Sequence, residues 1–138
     1  MKFTSLVLFC FLSFCIISCK KSSTGNSANL TGTWDLRQAS GMVVINYTPN
    51  SGNTLVFTDS TYKKYSNGAL VKSRTYRTVK DASYNGLIVG EDQFKTRVIY
   101  DDDTTSTKIF FQLSGHTLKF ISGSFADDSG SIVTYEMK

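Results

Sequence analysis

The sequence is poor in the residues that most often carry chemistry. Among 138 residues it has one histidine, one proline and one tryptophan, and its three cysteines all lie within the first nineteen positions. Charged residues make up only 19% and no run of basic residues exceeds two, so binding to nucleic acid is not expected. With one histidine and no later cysteine, a zinc site, a cysteine nucleophile or a cofactor of that kind is not expected either.

The N-terminal segment has the pattern of an export signal. Lys2 precedes an apolar run of about 16 residues, which is shorter than the roughly 20 that a membrane-spanning helix needs. The run ends in Ile16-Ile17-Ser18-Cys19, which resembles the lipobox of bacterial lipoproteins. This resemblance implies that residues 1–18 are a signal peptide and that Cys19 is lipidated. The alternative is an ordinary signal or membrane anchor with incidental cysteines.

The lipoprotein resemblance also implies a location. Residues 19–29 read CKKSSTGNSAN, a flexible tether behind a stable lipid anchor in the membrane. An inner-membrane retention signal has Asp directly after the lipidated cysteine, whereas this chain has Lys20. Surface-exported lipoproteins of Bacteroidota usually have acidic residues just after the cysteine, and residues 20–23 contain none. The expected location is the outer membrane, with the periplasmic face favoured over the surface. Lys20 and Lys21 either touch anionic head groups or only keep the tether soluble.

Residues 30–138 have the periodicity of strands. Short runs rich in Val, Ile, Thr, Tyr and Phe alternate with turns, and Asn67-Gly68 is the strongest hairpin signal. The predicted strands are residues 33–40, 54–58, 61–66, 69–79, 94–100, 106–113, 116–121 and 132–137, with 42–47 strand or loop and 87–89 a short apolar piece. These short connections favour an all-β fold, an antiparallel up-and-down β-barrel of about eight strands, over a two-sheet sandwich. Closure removes sheet edges, so a monomer is expected.

The opening of this segment resembles that of a known family. Leu30-Thr31-Gly32-Thr33-Trp34 is similar to the Gly-x-Trp opening of lipocalin and related calycin barrels. The run from Asp59 to Tyr62 is similar to an element of the lipocalin-like domains found in small lipoproteins of Bacteroidota. The resemblance implies one lipocalin-like domain over residues 30–138, in which Gly32 permits close chain approach and Trp34 plugs the closed end. Together with the lipobox and the strand pattern, this opening leads us to expect binding of a small hydrophobic or amphipathic ligand in the barrel mouth.

Strand alternation assigns candidate lumen residues. Lys72, Arg74 and Tyr76 share one face of a predicted strand, so an inward Tyr76 would bring both cations toward the barrel mouth. Such a lumen suits a ligand with a carboxylate or phosphate head; the alternative is a basic outer face that meets water. Whether the lumen is open or filled by side chains is undecided at this point. The candidate ligand-binding residues are Leu36, Phe57, Tyr62, Lys72, Arg74, Tyr76 and Phe111.

Three polar features could suggest catalysis or metal binding. His116 follows a predicted turn and is expected to be an exposed turn residue. The acidic stretches 101–103 and 127–128 lack the alternating ligand spacing of a calcium loop. Glu91 and Asp92 are adjacent, so on a strand they would point to opposite faces and could not flank one substrate. We therefore expect neither an enzyme nor a metal site.

An alternative function belongs to another class. The barrel could be a rigid scaffold whose loops bind or inhibit another protein of the cell envelope. The contact points would then be the apolar segment 41–47 and the tip around Phe125. A solid core with one contiguous apolar surface patch would favour this alternative.

Overall fold

The structure, a computed structural model, describes residues 29–84, 94–125 and 128–138. Within these residues it is an antiparallel β-structure without helices. The strands are β1 (Gly32–Ser40), β2 (Val44–Asn46), β3 (Thr54–Phe57), β4 (Thr61–Ser66), β5 (Ala69–Lys80), β6 (Thr96–Tyr100), β7 (Ile109–Ser114), β8 (Thr117–Ser122) and β9 (Ser131–Met137). Several predicted features lie outside the described residues. They are the signal peptide, Cys19, nearly all of the tether, the apolar piece 87–89, Glu91, Asp92 and Asp127.

The sheet closes on itself through its first and last strands. β1 pairs with β9 from Trp34 opposite Met137 to Ser40 opposite Ile132, with a register shift after Leu36. Every strand from β3 to β9 pairs with its neighbour along the chain. The predicted antiparallel up-and-down barrel of about eight strands is therefore confirmed, and the two-sheet sandwich is wrong.

Nine strands form an eight-stranded barrel because β2 and β3 share one edge of β1. β9 pairs with the other edge of β1. On the shared edge, β3 pairs with residues 32–35 of β1 and β2 pairs with residues 38–40, so the two short strands lie end to end. Backbone bonds from Tyr47 to Arg37 and from Leu36 to Asn53, each 2.8 Å, continue this ladder. The undecided segment 42–47 thus contains a turn and a short strand, and the Pro49 region is an excursion from a single barrel strand.

The barrel interior is filled at the end where β1 begins. Trp34, Leu30, Phe57, Phe111 and Leu118 are each at most 2% exposed and belong to one cluster. Each fully buried large apolar side chain contributes about 1.5–3 kcal/mol relative to exposure. This cluster therefore supplies much of the stability of a domain without disulfides.

A second apolar cluster lies on the outer wall. Phe110 and Ile121 are register partners whose chain neighbours Phe111 and Phe120 point inward, so alternation directs Phe110 and Ile121 outward. Phe94, which is 7% exposed, packs against them. Residues flanking the β5–β6 and β8–β9 connections thus cover one side of the barrel.

The ladders that the structure describes join β1 to β9 into one closed sheet, and two apolar clusters pack on its inner and outer faces. We therefore expect residues 29–138 to fold without the segment that precedes them. The described residues include no helix long and apolar enough to cross a membrane.

Candidate functional site

A cavity of about 290 Å³ opens above the filled half of the barrel. We call it the mouth cavity. Its floor is apolar and mostly buried, and consists of Leu55, Val98, Ile109, Phe120 and Val133. Five strands, β3 and β6 to β9, contribute to this floor, because each directs alternate side chains inward. The interior is thus open at one end and closed by side chains at the other.

Three tyrosines, which we call the tyrosine collar, line the mouth cavity beside the apolar floor. Tyr62, Tyr100 and Tyr135 all line the mouth cavity, and the rings of Tyr62 and Tyr100 have centroids 4.6 Å apart. Burial raises the pKa of all three phenols above the ordinary value near 10. The collar therefore stays neutral, and its hydroxyls can donate or accept hydrogen bonds.

The rim of the mouth cavity is cationic on one side. Lys64 on β4 and Lys72 on β5 are direct register partners, and Tyr62 is opposite Arg74 in the same ladder. All four line the cavity, and the three basic side chains are exposed. The Arg74 Nε lies 3.4 Å from the Oδ2 of Asp101. One face of a hairpin therefore presents a strip of positive charge to the opening.

The β6–β7 connection forms the part of the rim next to this hairpin. Asp101 and Asp102 have positive φ angles of 50° and 55°, which turn the chain sharply after β6. Asp103 lines the cavity, and its carboxylate accepts hydrogen bonds from Thr105 and Ser106. These bonds hold the pKa of the Asp103 carboxyl well below its usual range, so the group is anionic. The loop is thus organised by its own acidic side chains.

The predicted lumen residues fall into two groups. Tyr62, Lys72 and Arg74 line the mouth cavity. Phe57 and Phe111 are inside the barrel but lie in the packed core, 2% exposed, and do not line it.

The other two predicted residues lie beside these groups. Tyr76 packs edge-to-face on Phe57 with centroids 4.9 Å apart, and its hydroxyl donates to the Thr58 carbonyl at 2.7 Å. Leu36 lines a neighbouring cavity of about 160 Å³, which shares Lys64 and Tyr135 with the mouth cavity.

Sequence reasoning missed Lys64, Tyr100 and most of the floor. Lys64 is two residues from Tyr62 on one strand, and Tyr100 is two residues from Val98 on another. Because Tyr62 points inward, strand alternation also directs Lys64 inward. Strand alternation, extended from the strand of Lys72, Arg74 and Tyr76 to every predicted strand, is the signal that finds these residues.

The structure also places the residues of the Gly-x-Trp opening. Trp34 is fully buried, and its Nε1 donates a 2.8 Å hydrogen bond to the Leu30 carbonyl. Gly32 has a φ of 143°, and a Cβ there would lie 3.5 Å from the end of Met137. Trp34 thus lies in the packed core at the filled end, whereas at Gly32 the positive φ, and not a close chain contact, favours glycine.

His116 is exposed in the β7–β8 turn, as predicted. Within the described ranges, no three side chains of the metal-binding types are grouped together.

The mouth cavity opens at the end opposite the chain entry. β1 begins at the same end as the β3–β4 and β7–β8 turns, because neighbouring strands are antiparallel. The rim residues Asp103 and Ser106 come from the β6–β7 connection, which lies at the other end. The described chain therefore begins at the closed end of the barrel, opposite the mouth cavity.

Comparisons with protein-family models, with curated proteins and with solved structures find no match to this chain.

Proposed function

We propose that this chain is a membrane-anchored, lipocalin-like lipoprotein that binds a small hydrophobic or amphipathic molecule in the mouth of its barrel. The observation that carries this proposal is the mouth cavity, which combines an apolar floor with neutral phenols and basic side chains at its rim. Small-molecule sites are concave and mostly apolar, with a few convergent polar groups. The volume of about 290 Å³ lies at the lower end of such sites, so the ligand is small.

The position of the mouth supports exchange of ligand away from the anchor. The chain enters at the closed end, and the rim lies at the opposite end. A ligand can therefore enter from the aqueous side or from a facing protein without passing the anchored end. No reaction is proposed, because His116 is in an exposed turn away from this cavity.

Binding of a neutral fluorescent probe tests the proposal. The barrel, residues 29–138, is titrated with N-phenyl-1-naphthylamine, excited outside the tryptophan band. We expect saturable binding, because burial of the probe over Val98, Phe120 and Val133 removes apolar surface from water. Native mass spectrometry of protein from its own envelope would identify a natural ligand as an added mass.

Two substitutions locate the binding. Val133→Trp places a large ring in the mouth cavity, and we expect it to weaken probe binding at least about tenfold. Val71→Trp is the matched control, because Val71 is 55% exposed and does not line the cavity. Ser122→Trp blocks the same opening from another strand and covers the case in which Val133→Trp fails to fold. Equal binding by all folded variants, or no saturable binding by the original barrel, would reject the proposal.

The membrane anchor has its own test. Cys19 lies outside the described residues, and its proposed lipidation rests on the resemblance of residues 16–19 to a lipobox. In cells fed an alkyne-labelled fatty acid, the full chain should carry the label and Cys19→Ser should lose it. Cys15→Ser is the control and should keep the label. Fractionation with protease protection then tests the proposed outer-membrane location and its periplasmic face.

A second candidate function, binding of another envelope protein, is favoured by one exposed segment. Met42, Val43, Val44 and Ile45 are exposed by 86%, 67%, 59% and 48%. Consecutive exposed apolar residues are typical of interaction surfaces. Phe125, by contrast, is half-buried and packs against the outer apolar cluster, so it is a weaker contact point.

In-cell crosslinking tests this second candidate. A photocrosslinking amino acid at Val43 should capture one discrete envelope protein if the segment is a contact surface. The same amino acid at exposed Lys119 on β8 serves as the control. Identical crosslinking patterns at both positions would reject a specific contact at segment 41–47.

A further inference from the structure

Two lysines face each other at the rim of the mouth cavity. Lys64 and Lys72 are direct register partners of the β4–β5 ladder, and both line the opening. In the described part of the chain neither of them forms a salt bridge. Like charges directly opposite each other on one face of a sheet are destabilising. An anion held between the two ammonium groups would offset this repulsion.

The other charges of the rim already have partners. Arg74 lies 3.4 Å from Asp101. Asp103 accepts hydrogen bonds from donors of its own loop, among them the backbone amide of Thr105 at 2.8 Å. The positive charge that is free to meet a ligand is therefore that of Lys64 and Lys72. Their position above an apolar floor separates a polar end of the site from an apolar end.

We propose that the mouth cavity selects a small amphiphile with a single carboxylate, whose head lies between Lys64 and Lys72. This deepens the proposed function and rests on it. The apolar body of the ligand lies over Val98, Phe120 and Val133, and the neutral hydroxyl of Tyr62 is available to the head. Hydrogen bonds to charged groups are about twice as strong as neutral ones, so the head determines which apolar molecules bind well.

Charge and volume define the ligand class further. Lys64, Lys72 and Arg74 give three positive charges, and Asp101 and Asp103 give two negative ones, so the rim has a net charge of +1. This balance suits a monoanion better than a phosphate dianion. Phosphate is commonly held by bidentate arginine, and Arg74 is already paired with Asp101. The volume of about 290 Å³ favours a medium-length acyl chain or one aromatic ring.

Calorimetric titration of the barrel, residues 29–138, with a matched set of probes tests the head group. Octanoate, octan-1-ol and octylammonium share one apolar chain and differ in charge. We expect octanoate to bind about tenfold or more tightly than octan-1-ol, and octylammonium to bind most weakly. Added salt should weaken octanoate binding and leave octan-1-ol unchanged, because salt screens exposed charges.

Three single substitutions assign the effect to the lysine pair. Lys64→Gln and Lys72→Gln should each reduce octanoate affinity about five- to tenfold without changing that of octan-1-ol. Lys63→Gln is the control, because Lys63 is the chain neighbour of Lys64, points to the other face and does not line the cavity. It should leave both affinities unchanged.

The outcomes separate this inference from the proposed function. Equal affinity for octanoate and octan-1-ol, or an equal loss in Lys63→Gln, would overturn the carboxylate site and leave apolar binding in place. An absence of binding by all three octyl probes and by N-phenyl-1-naphthylamine would overturn both. Tighter binding of octyl phosphate than of octanoate would overturn the preference for a monoanion.

Discussion

The backbone amide of Asn50 donates a 2.8 Å hydrogen bond to the carboxylate of Asp35, a side chain on the outer face of β1. Asp35 is only 1% exposed, although its neighbour Trp34 points into the barrel. Arg37 lies 3.1 Å from the same carboxylate. One buried acid thus ties the excursion between β2 and β3 to the barrel wall.

Asp35→Ala should destabilise the barrel by about 1–3 kcal/mol, because it removes the acceptor of the Asn50 amide and one of the two acidic partners of Arg37. Glu136→Ala is the comparison, since Glu136 also pairs with Arg37 but its side chain is 52% exposed. Its loss should cost under about 1 kcal/mol. Urea unfolding followed by tryptophan fluorescence measures both. Equal losses would contradict the role given to Asp35.

The excursion also depends on close backbone contact at Gly52. Gly52 has a φ of 80°, and a Cβ there would lie 2.7 Å from the backbone nitrogen of Gly68. Gly68 has a nearly identical φ of 81°, but a Cβ there would meet nothing within 4 Å. Gly68→Ala should therefore cost only the strain of a left-handed residue, about 1–2 kcal/mol. Gly52→Ala should cost about 1–3 kcal/mol more, measured by thermal unfolding; equal costs would contradict this contact.

Alternation and turn residues were enough to predict most of the barrel. The hairpin at Asn67-Gly68 is predictable because both residues take positive φ, 49° and 81° in the structure. The start of β7 was predicted at residue 106 but is Ile109. Ser106 instead donates to Asp103 and prolongs the loop, and this side-chain bond competes with strand formation.

Depth along the barrel could not be predicted in the same way. Parity correctly places Phe57 and Tyr62 inside, where they are register partners. Parity cannot predict that Tyr62 lines the mouth cavity while Phe57 lies in the packed core. The depth of a side chain in the barrel depends on the tilt and stagger of the strands around the closed sheet. The pairing of Lys64 with Lys72 is likewise a property of register, which includes a shift after Lys64.

The tyrosine collar should make the barrel sensitive to alkali. Burial raises the pKa of Tyr100 and Tyr135 above 10.0, whereas in the unfolded chain they titrate near that value. Above about pH 10 the unfolded state therefore binds fewer protons than the folded state, and stability falls as pH rises. Below that pH their contribution is fully present.

Urea unfolding between about pH 8 and about pH 11 checks this sign. The double variant Tyr100→Phe, Tyr135→Phe should lose less stability over this interval than the original barrel. Tyr65→Phe, outside the mouth cavity, should decline as the original does. A decline of the same size in the double variant would mean that other groups cause the alkaline loss.

Adjacent phenylalanines on opposite faces give a test of what limits ligand length. Phe111 is 2% exposed inside the barrel, with its ring centroid 6.1 Å from that of Phe120, a floor residue of the mouth cavity. Phe111→Leu should enlarge the cavity beside its register partner Phe120 and raise the affinity for dodecanoate relative to octanoate about tenfold, at about 0.8 kcal/mol per buried methylene. Phe110 is 3% exposed but belongs to the outer cluster. Phe110→Leu should therefore cost a similar amount of stability, about 1–2 kcal/mol, without changing chain-length preference. Calorimetric titration of both variants with both acids makes the comparison. The same shift in both variants would show that the core at Phe111 does not set the depth of the site.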